Sequence, residues 1–88
     1  MKISVEIHGF LEHRTINLKR DFRIKEGGTV KDALVKIGKK IKIDLPLLLT
    51  KVSPVVMVNN ERLDLPEGFT RTLSEGDEIV ILQPLAGG

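Results

Sequence analysis

The chain has 88 residues, a formal charge of +2, and neither cysteine, tryptophan nor tyrosine. That length holds one domain with a modest core. Without cysteine there is no disulfide, no thiolate nucleophile and no cysteine metal site, and so small a charge does not by itself call for a polyanionic partner.

The chain opens on strict alternation, with Ile3, Val5 and Ile7 on one face and Lys2, Ser4, Glu6 and His8 on the other. This is the period of a half-buried strand. It enters that pattern at once, where a signal peptide would show a long apolar run, and no segment has the length of a membrane span. The expected location is therefore cytoplasmic, with no membrane partner. Gly9 to Arg14 reads as a turn, after which Ile16, Leu18, Phe22 and Ile24 share a face. Arg20 falls on that same face, so a bulge or an exposed strand end is expected near Lys19–Asp21. The two segments make an antiparallel hairpin.

Thr29 follows Gly27-Gly28, with Asp32 three residues on, the spacing of a short capping box. Val30, Ala33, Leu34, Ile37 and Ile41 then recur at helical spacing, with Gly38 expected to weaken the last turn. Lys36, Lys39, Lys40 and Lys42 crowd the far end, where the helix dipole favours cations. They read first as a solvated face, and next as a surface for an acidic partner. A nucleic-acid partner is not expected, because the aromatic platforms that stack bases are nearly missing.

Asp44-Leu45-Pro46 opens what looks like a single helical turn through Leu49. Val55–Val58 is a short apolar strand. Asn59-Asn60 suits a tight turn because asparagine tolerates positive φ, and Glu61–Leu63 is a brief return. Residues 65–72 read as loop. Leu73–Glu78 is a turn centred on Gly76, and Ile79–Leu82 is apolar on both faces, as a central strand would be. The order ββαββ, ending in a central strand, describes an α+β domain of the β-grasp type. It has a mixed sheet and one main helix packed on one face. The domain is expected over residues 1–83, with a flexible tail over 84–88.

No catalytic signature such as GxSxG or HExxH is present. Gly27-Gly28-Thr29 lacks the GxxxxGK[ST] spacing of a phosphate cradle, and Glu26 and Asp32 would repel an anion. His8 and His13 are too few to hold a metal, and Glu75, Asp77 and Glu78 belong first to a tight turn. No metal and no permanently bound cofactor are expected. The chain is not expected to be an enzyme.

The sharpest signal is the ending, Gln83-Pro84-Leu85-Ala86-Gly87-Gly88. With glycine at about 7% of residues, a closing Gly-Gly arises by chance about once in 200 chains. Five extended residues reach about 16 Å. Glycine has no side chain to clash in a narrow channel, and Pro84 stiffens the exit from the domain. Ala86, Gly87 and Gly88 are thus expected to thread into a partner's ATP site, with the Gly88 carboxylate as the reacting group. Leu82, Pro84 and Leu85 are expected to dock that partner. If the chain carries sulfur, no side chain can hold it as a persulfide, and the sulfur must replace an oxygen of the Gly88 carboxylate.

Four segments together resemble the MoaD/ThiS family of ubiquitin-like sulfur carriers. They are Gly28–Leu34 opening the helix, Val56–Glu61 as strand and turn, Leu73–Ile79 before the last strand, and the closing Ala86-Gly87-Gly88. The resemblance implies a ubiquitin-like β-grasp with its first and last strands as parallel central neighbours. It implies a ubiquitin-activating-like enzyme that uses ATP to adenylate Gly88, which then becomes a thiocarboxylate. The acceptor would be the large subunit of molybdopterin synthase or another sulfur-accepting enzyme. Length favours the molybdopterin branch over the thiamin thiazole branch. Protein modifiers of the archaeal and ubiquitin-related types, conjugated to lysines or serving tRNA thiolation, share the fold and the ending.

Overall fold

The computed structural model describes residues 1–83; the expected tail, residues 84–88, lies outside them. Strand β1 (Lys2–Leu11) pairs antiparallel with β2 (Arg14–Arg23). Ile3, Val5, Ile7 and Leu11 point into the core, as the alternation requires. The turn is shorter than expected. Only Glu12 and His13 leave the ladder, with φ of 47° and 63°, the paired positive φ of a two-residue hairpin turn whose twist matches that of the strands. Gly9 and Phe10 are therefore strand residues. Glu-His carries none of the usual Asn-Gly or Asp-Gly signal, which is why the sequence spread this turn over six positions.

No bulge forms at Arg20. The ladder runs unbroken from Lys2↔Arg23 to Leu11↔Arg14, with Arg20 opposite Val5. Because β2 is the edge strand, Arg20 can lay its stem along the sheet and keep its guanidinium in water.

Helix α1 (Val30–Ile41) begins with the expected box. Thr29 Oγ1 accepts from the Asp32 amide at 3.3 Å, and Asp32 Oδ2 accepts from the Thr29 amide at 2.9 Å. The bond from the Thr29 amide is the main cause holding the Asp32 carboxyl below its ordinary range. Partial desolvation opposes it, and the Thr29 hydroxyl, Lys25 and Lys31 assist. Gly38 has a role the sequence did not reveal. A Cβ there would lie 2.4 Å from the Ile43 carbonyl oxygen, so glycine lets the chain fold back over the helix end and bury Ile43 and Leu45. The helix cost of glycine, about 1 kcal/mol against alanine, is set against that burial.

Helix α2 (Leu45–Val52) is two turns long, longer than the single turn expected. Asp44 Oδ1 caps the Leu47 amide at 3.3 Å. Leu45 and Leu49, four residues apart, are buried. β3 (Val55–Val58) turns through Asn59 and Asn60, at φ of 51° and 68°, into β4 (Glu61–Arg62). A 3₁₀ turn over Glu67–Thr70 interrupts the expected loop. The turn before the last strand is tied to the Asn59 turn: Asn59 Nδ2 donates to Asp77 Oδ1 at 2.8 Å, and the Glu78 amide donates to Asn59 Oδ1 at 2.9 Å.

The final strand, β5 (Glu78–Gln83), lies between β1, to which it is parallel, and β3, to which it is antiparallel. Sheet order is β2-β1-β5-β3-β4. One core joins the inward residues of the central strands to Val30, Ala33, Leu34 and Ile37 of α1 and Leu45 and Leu49 of α2. This is the expected mixed-sheet β-grasp, with α2 and the two-residue β4 elaborating the simpler ββαββ string.

Candidate functional site

The site is the end of the sheet from which residues 84–88 depart. β5 is paired with β1 from Ser4↔Glu78 to Gly9↔Gln83, and with β3 through Val55↔Leu82. The strand is thus held on both sides until Leu82 and on one side through Gln83. These last pairs fix the position of Gln83.

Gly9 makes the final pair possible. Its φ is 144°, and a Cβ on it would fall 2.0 Å from the Gln83 carbonyl oxygen. Both the backbone angle and the close approach require glycine. The Gln83 side chain at the same spot is unusual, because its Oε1 is buried and accepts no hydrogen bond among the described residues. A buried acceptor left unmet costs about 1–3 kcal/mol, so it is a ready partner for an incoming N–H.

On the face away from the helices, His8, Phe10, Thr15, Val55 and Leu82 line an open, mainly apolar groove of about 530 Å³ that ends at Gly9 and Gln83. Phe10 is 41% exposed, unusual for a side chain of its size. At the groove's margin His8 Nε2 and Glu6 Oε2 pair at 2.5 Å. Leu82, expected to dock a partner, is therefore part of a continuous apolar surface. Pro84, Leu85, Ala86, Gly87 and Gly88, which carry the rest of that expectation, lie outside the described residues.

Phe10, Val55 and Gly9 were not singled out by the sequence. Phe10 carried a usable signal: it is apolar but out of phase with Ile3, Val5, Ile7 and Leu11, so a strand running through Gly9 must turn it outward. Val55 is likewise out of phase with the buried Val56 and Val58. Gly9 gave no such signal, since a glycine after an alternating run usually marks a turn.

Among the described residues, no three His, Asp or Glu side chains lie close enough together to hold a metal ion, and no helix is long and apolar enough to cross a membrane. Asp77, considered for metal, spends both carboxylate oxygens on the Asn59 side chain and the Ser74 amide. Of the helix lysines, Lys36 donates to the Arg23 carbonyl and sits over the Phe22 ring.

Residues 7–88 match the model of the ThiS family. An uncharacterized protein of Archaeoglobus fulgidus is 24% identical over 85 residues, spanning 97% of this chain and 91% of that protein. Among solved structures, SAMP1 from Haloferax volcanii superposes with a TM-score of 0.70 at 18% identity, covering all of both chains. The HVO 2177 protein of the same organism superposes with a TM-score of 0.61 at 21% identity, over 99% of this chain and 88% of that one. Both likenesses are of fold.

Proposed function

The chain belongs to the ThiS family, and from that premise we propose that it is a sulfur carrier whose working group is the carboxylate of Gly88. The observation that carries this reading is the pinning of β5 up to Gln83 directly ahead of a segment ending Ala86-Gly87-Gly88. A rigid strand followed by a short, side-chain-poor segment is what insertion into another protein's active site requires. The groove of Phe10, Val55 and Leu82 is the surface on which that protein rests.

The chemistry belongs to the partner, a ubiquitin-activating-like enzyme that supplies ATP. A carboxylate oxygen of Gly88 attacks the α-phosphorus and pyrophosphate leaves, giving an acyl adenylate. The terminal sulfur of a persulfide on the partner then attacks the glycyl carbonyl and AMP leaves. A second thiol attacks the resulting acyl disulfide at the partner's sulfur. This closes a disulfide on the partner and frees the thiocarboxylate on Gly88. The carrier is a substrate throughout, and it supplies no acid, base or nucleophile besides its own terminus. We assign the thiocarboxylate to molybdenum cofactor synthesis, with the large subunit of molybdopterin synthase as acceptor. Thiamin thiazole synthesis is the alternative carrier pathway.

A second reading shares the first step. As a protein modifier, the activated Gly88 would pass to a lysine amine instead of to sulfur. The full-length fit to SAMP1 keeps this reading beside the first.

ATP–pyrophosphate exchange with the host's activating enzyme tests the common step. Exchange is expected with the full chain and is expected to vanish when Gly87 and Gly88 are deleted, with the circular dichroism spectrum unchanged. Undiminished exchange from the truncated chain would refute the role of Gly88.

A further inference from the structure

Charge is not evenly spread along the strand direction. The hairpin register puts Leu11 and Arg14 at the end of the sheet from which Gln83 exits, two residues beyond Gly9. Arg14 Nη2 donates to the Ile41 carbonyl at 2.7 Å, which brings the C-terminus of α1, with Lys39, Lys40 and Lys42, to that same end. Helix α2 also finishes there, because Val55, three residues after Val52, pairs with Leu82. Lys51 lies in its last turn.

Arg14, Lys39, Lys40, Lys42 and Lys51 are all exposed. Among the described residues none has a carboxylate within ion-pair distance. Glu12, Asp44 and Asp64 are the acidic residues near them, and Asp44 is occupied as a helix cap. At the opposite end, acidic and basic groups mix. Glu75, Asp77 and Glu78 precede β5, Glu26 and Asp32 flank the start of α1, and Glu61 begins β4. Lys2, Arg20, Arg23, Lys25, Lys31 and Arg71 are interleaved with them, so that end carries both signs.

The helix dipole accounts for two of the basic residues at the exit end, Lys39 and Lys40 in the last turn of α1. It does not account for Arg14 on β2 or Lys51 on α2, which reach the same place from other elements.

We propose that this basic pole is a docking and steering surface for a protein partner that carries acidic side chains around the mouth of the channel receiving residues 84–88. The inference rests on the carrier reading and adds the partner's chemistry to it. A partner that takes the chain end first must meet the end of the domain from which that chain emerges, and that end is basic. An acidic rim would attract the pole and orient the domain tail-first, raising the rate of productive encounter. A protein rim is favoured over nucleic acid because Phe10 is the one phenylalanine exposed among the described residues, and it lines the apolar groove.

The test is ATP–pyrophosphate exchange with the host's activating enzyme, using the full chain and the triple variant Lys39→Glu/Lys40→Glu/Lys42→Glu. KM for the carrier is expected to rise about tenfold at low salt, with kcat unchanged, and to return toward wild type near 0.5 M salt as screening shortens. The variant Lys39→Gln/Lys40→Gln/Lys42→Gln should show a smaller rise, and it guards against misfolding caused by acidic residues at a helix C-terminus. Lys25→Glu/Lys31→Glu at the opposite pole should leave KM unchanged. An unaltered KM in the Glu triple variant, a loss that salt does not relieve, or an equal loss from the opposite-pole variant would overturn the proposal while leaving the carrier reading intact. Unaltered KM with salt-sensitive binding of host tRNA lost in the triple variant would give the pole to nucleic acid instead. Absence of exchange with the wild-type chain would remove the carrier reading, and this inference with it.

Discussion

Gly9 is the residue at which backbone geometry and function meet most closely. A methyl group there would displace the Gln83 carbonyl, the last backbone group that the sheet fixes before the tail. Gly9→Ala should therefore destabilise the domain by about 1–3 kcal/mol through overpacking and also re-aim the departing chain. In pyrophosphate exchange, kcat should fall by about tenfold or more, since a small misplacement of a reacting group is costly. Gly38→Ala is the matched comparison, because its methyl group also strikes a backbone carbonyl, that of Ile43, but meets no atom of β5. It should lower the melting temperature and leave kcat alone. Equal losses of kcat in the two variants would reduce Gly9 to an ordinary packing position.

Among the elements, α1 was the most legible, because three independent signals agreed: the Thr29–Asp32 spacing, the apolar period and the terminal lysines. Its cap also carries a pH signature. The Asp32 carboxyl is held below its ordinary range by the Thr29 amide, so its contribution to stability is complete above the unfolded-state value, about 3.9. That contribution is lost as pH falls through the lower folded value. The stability difference between the wild type and Asp32→Asn should accordingly shrink on acidification below about pH 4, followed by urea titration at several pH values. A constant difference down to pH 2 would contradict the assigned cause. Elements that depend on tertiary contact were harder to read. At the end of α2, Thr50 and Val52 have weak helix propensity, and what extends it is the buried Leu49. β1 was cut short because Gly9 looks like a turn residue until β5 is known to pass against it. Arg20 resembled a bulge because the edge position of β2, which makes the residue harmless, exists only once strand order is known.

At the scale of the whole molecule, the sequence conveyed the architecture and suggested the end proposed to react, but not the surface between them. The central position of β5 was written in Ile79–Leu82, apolar on both faces, and the proposed chemistry rests on the closing glycines. The groove of Phe10, Val55 and Leu82 combines three strands, and the basic pole combines a hairpin tip with two helix ends. Neither can be read until the register brings those segments together. What unites them is direction: a pinned central strand, an apolar resting surface and a concentration of positive charge all lie where residues 84–88 begin. The account's central claim is that sulfur is carried at Gly88. The most direct test is the intact mass of the protein after incubation with its host's activating enzyme, ATP and a sulfur donor, with the site located by fragmentation. The account predicts a shift of one sulfur for one oxygen, confined to Gly88 and absent when ATP is withheld. An unchanged mass beside an enzyme shown to form the adenylate, with lysine conjugates that contain the chain, would contradict it and establish the modifier reading.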